Sequence, residues 1–176
     1  RGIESIKHFT EWAGPLIYVI MLALDLYLLQ RVGFIHGLHA IKQSLSFTSV
    51  ETSSRGAFSA FIMTITLTIS YFSAPMLNFG DFARYAKNTK DIRRGNFWGL
   101  PVNFLAFTAL TLSTIALTVP AFGVRITDPV ETVSKTDNVT VIIIAILAFM
   151  IATAGINVVV NFVSASFDFS NLAPEK

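Results

Sequence analysis

Two carboxamide side chains stand four residues apart in an apolar run near the carboxyl end of the sequence. They are Asn157 and Asn161, and the stretch from 152 to 161 that holds them has no charged residue. Residues four apart share one face of a helix, so we expect both amides on the same side. Because an amide donates and accepts hydrogen bonds, the pair can bind the mixed edge of a pyrimidine, purine or hydantoin without a charge. The alternative is that both amides bond to neighbouring helices.

A second polar interruption combines two aromatic rings with a proline, in the order Ser-Tyr-Phe-Ser-Ala-Pro from Ser70 to Pro75. Pro75 has no backbone N–H for the carbonyl of Tyr71 four residues earlier, which predicts a kink or break in a helix here. Tyr71 and Phe72 lie beside that point, and a flat aromatic face is a surface on which a heteroaromatic ring stacks. The alternative is that both rings pack between helices.

Composition indicates that the elements carrying these residues lie in a membrane. Of the 176 residues, 53% are hydrophobic and only 14% are charged, whereas a soluble domain carries about a quarter charged residues. The net charge of +2 is too small to indicate nucleic-acid binding. The absence of cysteine excludes a disulfide framework, a thiolate zinc site and a cysteine nucleophile. We therefore predict that the chain lies in a lipid bilayer and that it does not bind nucleic acid.

Four apolar segments are each about as long as the ~20 residues that cross the core of a bilayer. We predict an all-α membrane protein in which residues 1–176 form part of one larger membrane domain and contain four transmembrane helices. Their predicted bounds are about 9–29, 58–79, 98–122 and 139–164.

The loops predict the orientation of these helices. Residues 84–94 contain five Lys or Arg, and basic residues in short loops favour the cytoplasm. We therefore place the loop 80–97 in the cytoplasm and the loops 30–57 and 123–138 outside. Both ends of the chain then fall on the cytoplasmic side of the cytoplasmic membrane. In the first outer loop, the helical spacing of Leu38, Ile41 and Leu45 predicts a short interfacial helix.

Ionisable side chains are few and form no catalytic pattern. Asp81 precedes Arg84 by three residues, so we expect an ion pair with a structural or gating role. Asp25 is a functional candidate because a carboxylate is costly in a membrane helix, but its place near the outer end favours contact with water. The three histidines lack metal-ligand spacing, and no nucleophile triad or phosphate-binding loop is recognisable in the sequence. We therefore predict neither an enzyme nor a metal site.

Four short patches give the sequence a family resemblance. They are Trp12-Ala13-Gly14-Pro15-Leu16, Asn78-Phe79-Gly80-Asp81-Phe82-Ala83-Arg84-Tyr85, Gly99-Leu100-Pro101, and Asn157 to Asn161 followed by Ser164-Ala165-Ser166. In order and spacing they resemble the nucleobase:cation symporter family 1, the permeases for cytosine, purines, uracil, thiamine and allantoin. The resemblance covers helices five to eight of twelve. It implies part of the leucine-transporter-like inverted-repeat fold, completed by the missing helices of a longer parent protein.

The resemblance also implies roles for the aromatic and amide residues. Phe72 falls where the family places an aromatic ring against the substrate ring, and Tyr71 falls just before it. Asn161 falls where an amide hydrogen-bonds the substrate, and Asn157 lines the same pocket one turn earlier.

A cation site is the point at which the sequence departs from the family. The family's sodium site uses a carbonyl at the position of Ala152 and hydroxyls at the positions of Gly155 and Ile156, neither of which has a side-chain oxygen. Thr153 or backbone carbonyls would have to take their place. We therefore expect H⁺ to be the coupling ion in preference to Na⁺, and no other cofactor.

The expected activity is secondary active symport that imports a small heterocycle, such as uracil, cytosine, a purine or allantoin, across the cytoplasmic membrane. The alternative is a channel-like or scaffolding membrane subunit that transports nothing. A channel would carry a continuous polar stripe along several helices, and the predicted helices show isolated polar residues instead.

Overall fold

The computed structural model describes residues 2–45 and 54–172 and shows only helices in them. This confirms the all-α class. The part of the predicted outer loop at residues 46–53 lies outside the described residues, as do the side chains of Pro75 and Ile156. The helices are α1 (Gly2–Val32), α2 (Phe34–Leu45), α3 (Ser54–Leu77), α4 (Phe79–Ala83), α5 (Thr89–Phe97), a first π-helix (Trp98–Val102), α6 (Asn103–Phe122), α7 (Pro129–Ser134), α8 (Val139–Ile156), a second π-helix (Asn157–Val163) and α9 (Ser164–Leu172).

Three helical runs in the described residues are long and apolar enough to cross a membrane. They are Glu4–Val32, Gly56–Ser73 and Thr89–Phe122. A fourth apolar helix, Val139–Gly155, is shorter, and it continues without a break into the second π-helix and α9. Because the lipid-facing side of such helices needs no polar cover, their high exposure of apolar residues is the pattern of a membrane protein.

The described helices form two compact units. Of the described residues, the first unit contains 2–45 and 97–155, and the second contains 54–96 and 156–172.

In the first unit, α1 packs along α6, and α2 packs on both of them. The core combines Leu24 and Leu28 of α1 with Leu117 of α6, together with one residue each from α7 and α8. Between α1 and α2 the chain turns at Gly33, whose φ of +91° lies in the left-handed region that glycine adopts without strain. The short helix expected in the first outer loop is therefore present as α2.

Close approach of α2 to the α1–α6 pair depends on Gly37. Gly37 is buried, and a Cβ atom built on it would overlap the side chain of Leu29 and come within 3.0 Å of Leu117. A hydrogen at this position thus lets the backbone of α2 lie directly on the side chains of its neighbours.

Polar contacts fix the two ends of the α1–α6 pair. At one end the Tyr18 hydroxyl donates to the Asn103 side-chain oxygen at 2.7 Å, and the Tyr18 ring meets Phe107 edge to face. At the other end the Arg31 guanidinium lies 5.1 Å above the Phe122 ring centroid. Both ends of the packed pair are therefore held by side chains far apart in the sequence.

In the second unit, α3 has no buried residue along the run 56–73. The threonine hydroxyls form their hydrogen bonds within the helix. Those of Thr64, Thr66 and Thr68 each donate to the backbone carbonyl four residues earlier. A helix of this kind can face lipid or other helices without a polar partner.

The break expected beside Tyr71 is absent. Helix α3 is continuous from Ser54 to Leu77, so it ends two residues beyond Pro75. Pro75 removes one hydrogen bond from the last turns of the helix, and a helix tolerates this loss more readily there than in its middle.

Candidate functional site

The paired amides lie at the start of the second π-helix. Helix α8 ends at Ile156, and the wider helix runs from Asn157 to Val163 before α9 begins. The sequence between the two amides is three valines, and similar β-branched residues form regular α-helix at the start of α8, so this run does not distinguish the π-helix. π-helical turns are rare and occur frequently at functional sites.

The two amides contact each other, as their spacing predicts. The Asn161 Nδ2 group donates to the Asn157 Oδ1 atom at 3.0 Å, and both residues are exposed in this chain. This bond uses one N–H of Asn161 and fixes the orientation of its carboxamide plane. The pair therefore presents an ordered set of hydrogen-bonding groups on one side of the π-helix.

The aromatic pair lies on α3, in the same unit as the amide pair. The Tyr71 and Phe72 ring centroids are 5.2 Å apart with the planes at 88°, an edge-to-face contact. Phe72 is half-buried, whereas Tyr71 is 65% exposed. The contact holds each ring in place, which favours a firm aromatic surface over two independently mobile rings.

The residues of the predicted cation site, including the substitute ligand Thr153, all lie in regular α-helix. Ala152, Thr153, Gly155 and Ile156 belong to the last turns of α8. A Cβ atom built on Gly155 would lie 3.4 Å from a ring carbon of Phe9, so this glycine allows close approach of α1 to α8. In a regular α-helix the carbonyl of Ala152 is in register to accept from the backbone N–H four residues on.

Asp81 and Arg84 form the ion pair that their spacing predicts. Arg84 directly follows α4, and its guanidinium nitrogen lies 3.0 Å from Oδ1 of Asp81 within that helix. The same guanidinium lies 4.2 Å above the ring centroid of Phe167, and the Tyr85 ring packs 6.1 Å from that ring. Sequence reasoning missed Phe167, because it meets Arg84 across a separation of more than eighty positions and no local spacing signals the contact.

Asp25 does not reach water in this chain, so the expectation that it would is wrong. It is only 6% exposed, and its Oδ1 atom lies 2.6 Å from the Thr114 hydroxyl oxygen of α6. The reason is its place on the helix: Asp25 is on the face of α1 that packs against α6, one turn from the buried Leu28.

A cavity of about 100 Å³ lies between α1 and α8 in the first unit. Its walls are almost entirely apolar and include Ile20, Leu24 and Phe149. A polar heterocycle would find no partner for its N–H and C=O groups there, so the cavity does not match the chemistry of the amide pair. Among the described residues, no group of three or more His, Asp or Glu is arranged to hold a metal ion.

Comparison with known proteins identifies the family. The profile of the family described as "Permease for cytosine/purines, uracil, thiamine, allantoin" matches residues 1–176. The chain is 32% identical over 175 residues to an allantoin permease of Bacillus subtilis (strain 168), and 28% identical over 176 residues to the purine-uracil permease NCS1 of Arabidopsis thaliana.

Each alignment covers 99% of this chain but only 34% and 28% of the two relatives, so the chain spans about a third of their length. No solved structure matches the chain. The match extends over the whole sequence and includes both the amide and the aromatic pairs. This chain therefore belongs to the family of permeases for cytosine and purines, uracil, thiamine and allantoin, whose named members here are transporters and not enzymes.

Proposed function

We propose that the full-length protein containing this chain is a secondary active transporter that imports a nucleobase or a related heterocycle across the cytoplasmic membrane. The observation that carries the proposal is the hydrogen-bonded Asn157–Asn161 pair on a π-helix that directly follows an apolar membrane helix. Irregular helix with uncharged polar groups, placed within a membrane protein, is typical of transporter binding sites.

The chemistry of the amide pair favours a ring whose edge alternates N–H and C=O groups. Uracil, cytosine, purines and allantoin all have such edges, and the two relatives are named as an allantoin permease and a purine-uracil permease. An uncharged site also suits neutral substrates, because a buried charge without a partner would be costly.

In this proposal, Phe72 stacks on the substrate ring, and Tyr71 supports it through their edge-to-face contact. Asn161 reads the hydrogen-bonding edge of the ring, and Asn157 orients Asn161 through their mutual bond. Pro75, near the end of α3, and the Asp81–Arg84 pair beyond it serve gating. The remaining helices of the parent protein complete the pocket.

We propose H⁺ as the coupling ion in preference to Na⁺. Two observations support this choice: Gly155 and Ile156 bring no side-chain oxygen, and α8 remains a regular helix through both positions. Sodium requires several oxygen ligands at short distance, and a helix whose carbonyls are already paired offers few.

The orientation we propose places the basic stretch 84–94, with α5, in the cytoplasm, and the segments 30–57 and 123–138 outside. The transmembrane segments are then about 9–29, 58–79, 98–122 and 139–164, and both ends of this chain are cytoplasmic. The basic helix α5 supports this orientation, since lysine and arginine concentrate on the inner side of membranes.

Transport by the full-length protein is the direct test. Cells expressing it would be supplied with labelled uracil, cytosine, hypoxanthine or allantoin, with and without sodium, and with a protonophore. We expect the cells to take up at least one compound. This uptake should be independent of sodium and should be abolished by the protonophore. Sodium-dependent uptake would contradict the proposed ion but keep the transporter. If the cells neither took up any of the four compounds nor exchanged labelled for unlabelled compound, the proposal that the protein is a transporter would be contradicted.

A further inference from the structure

The carboxyl group of Asp25 is buried in a membrane helix that is otherwise apolar around it. Asp25 is 6% exposed, and its neighbours on α1 include Leu24 at 6% and Leu28 at 0%. A charged carboxylate is costly at such a position unless a partner compensates it. Carboxyl groups buried in transport proteins are therefore candidates for binding protons.

The helices packed around Asp25 bring no cation to it. Helices α6 and α8 contain no titratable residue, and none of the ion pairs formed within residues 2–45 and 54–172 involves Asp25. Titratable groups on α1, α2 and α7 near this face are bonded elsewhere or exposed. They are Arg31, His36, His39, Lys42 and Glu131. The remaining titratable group, Tyr27 of α1, is half-buried, and its phenol is no cation.

The Thr114 hydroxyl is positioned to serve both protonation states of this carboxyl. Its oxygen lies 2.6 Å from Asp25 Oδ1 and 3.1 Å from the carbonyl oxygen of Leu110. A hydroxyl has one hydrogen to donate, so it cannot donate along both contacts at once. Both contacts become hydrogen bonds together only when Asp25 is protonated and donates to Thr114, which in turn donates to Leu110.

When Asp25 is ionised, the Thr114 hydroxyl turns to donate to the carboxylate, and Leu110 loses only this side-chain bond, because its carbonyl also belongs to the α6 backbone. Ionisation thus removes the carboxyl proton of Asp25 and rotates the hydroxyl hydrogen of Thr114, and neither change requires a heavy atom to move. Such a pair can accept and release a proton at low structural cost. A carboxyl group that stayed permanently charged or permanently neutral would not need this arrangement.

We propose that Asp25, with Thr114 as its positioning partner, is the site that binds the coupling proton of this transporter. The inference rests on the proposed function. Asp25 takes up H⁺ to form the neutral carboxyl, and it returns the same H⁺ to water when α1 and α6 part enough to hydrate the site. No other reactant is needed.

The test uses the full-length protein, purified and reconstituted in liposomes, with a labelled heterocycle that the wild type transports. Two measurements separate proton coupling from transport itself. Accumulation driven by an inward proton gradient requires the proton site to load and unload. Counterflow exchange of labelled for unlabelled substrate requires only that the loaded form crosses the membrane. Asp25→Asn keeps the size and the donor of the protonated carboxyl but cannot release a proton.

We expect Asp25→Asn to lose gradient-driven accumulation while exchange continues near the wild-type rate. In the wild type, substrate Kd should change about fivefold or more between mildly acidic and mildly alkaline pH, as for a typical coupling between sites. In Asp25→Asn this dependence should disappear. Wild-type accumulation by Asp25→Asn would overturn the assignment. Loss of both accumulation and exchange in a variant with the wild-type melting temperature would overturn it too, because Asp25 would then serve substrate binding.

Thr114 supplies a second test that does not depend on Asp25→Asn being folded. Thr114→Val should shift the pH at which accumulation is half-maximal, and Thr114→Ser should restore it. Ser113→Ala is the matched control, since that hydroxyl donates to the carbonyl of Ala109 at 2.9 Å. An unchanged pH profile in Thr114→Val would overturn the positioning role. Failure of the wild type to exchange any tested heterocycle would overturn the proposed function, and this inference with it.

Discussion

At the scale of single residues, the amide pair and the buried acid show two different relations between sequence and site. The contact between Asn157 and Asn161 could be predicted, because two polar residues four apart in an apolar run are bound to meet on a helix. The burial of Asp25 could not, because it depends on which helix lies against that face of α1. Thr114, its partner, is 89 positions away and looks like any other threonine of an apolar helix.

Replacing Asn161 tests its proposed role in binding the edge of the substrate ring. On the proposed function, we expect Asn161→Ala to weaken substrate binding by about 1 to 3 kcal/mol, because the ring edge loses a hydrogen-bonding partner. Equilibrium binding of labelled substrate to the purified full-length protein measures this. Asn171→Ala is the control, since Asn171 is an exposed amide on α9 outside the π-helix. Equal affinities of the wild type and Asn161→Ala would remove Asn161 from the site.

Replacing Phe72 tests its proposed role as the surface on which the substrate ring stacks. We expect Phe72→Ala to weaken binding by about 1 to 3 kcal/mol, the range for stacking of a base on an aromatic side chain. Phe72→Tyr keeps a ring and should retain most of the affinity. Phe61→Ala, which truncates an exposed ring on the same helix, should leave binding as in the wild type. If Phe72→Ala also binds as the wild type does, the ring serves helix packing alone.

At the scale of elements, the helices were predictable and their internal irregularities were not. The apolar segments that length and hydropathy selected are helical almost throughout, but the helices have other bounds: α1 runs from Gly2 to Val32 where 9–29 was predicted. The two π-helices escaped prediction. One contains Pro101 and the other begins at Asn157, and neither has a sequence signal that separates a π-turn from ordinary α-helix. At Pro75 the error was the opposite one: a break was predicted but is absent, because a helix tolerates proline near its end.

The packing of α2 against α1 and α6 provides a prediction at this scale. We expect Gly37→Ala to lower the free energy of unfolding by about 1 to 3 kcal/mol, because overpacking forces neighbouring side chains and backbone to shift. The added Cβ would overlap Leu29 and press on Leu117. Thermal melting of the full-length protein in detergent measures the change.

Gly95→Ala is the matched control for that experiment. A Cβ atom at Gly95, within α5, meets nothing within 4 Å, so we expect no loss of stability there. A melting temperature for Gly37→Ala equal to that of the wild type would show that α2 can move away from the α1–α6 pair without cost.

At the scale of the whole molecule, the charge distribution is the feature from which we infer the proposed orientation of the chain. Basic residues concentrate in the stretch 84–94, whereas the segment 123–138 mixes Arg125 and Lys135 with acidic residues. Lys135 and Glu131 even pair with each other at 3.9 Å. A segment whose charges compensate each other has little preference for the cytoplasm, and an uncompensated basic segment has a strong one.

Labelling of single cysteines from outside the cell tests this orientation. The chain itself contains no cysteine, so a cysteine introduced into it is unique once any others of the full-length protein are replaced. We expect Thr127→Cys, in the loop between α6 and α7, to react with a membrane-impermeant maleimide on intact cells. Lys87→Cys, in the basic stretch, should react only after the cells are opened. The opposite labelling pattern would show that every helix of the chain crosses the membrane in the reverse direction. The amide and aromatic pairs would then belong to a transporter of reversed topology.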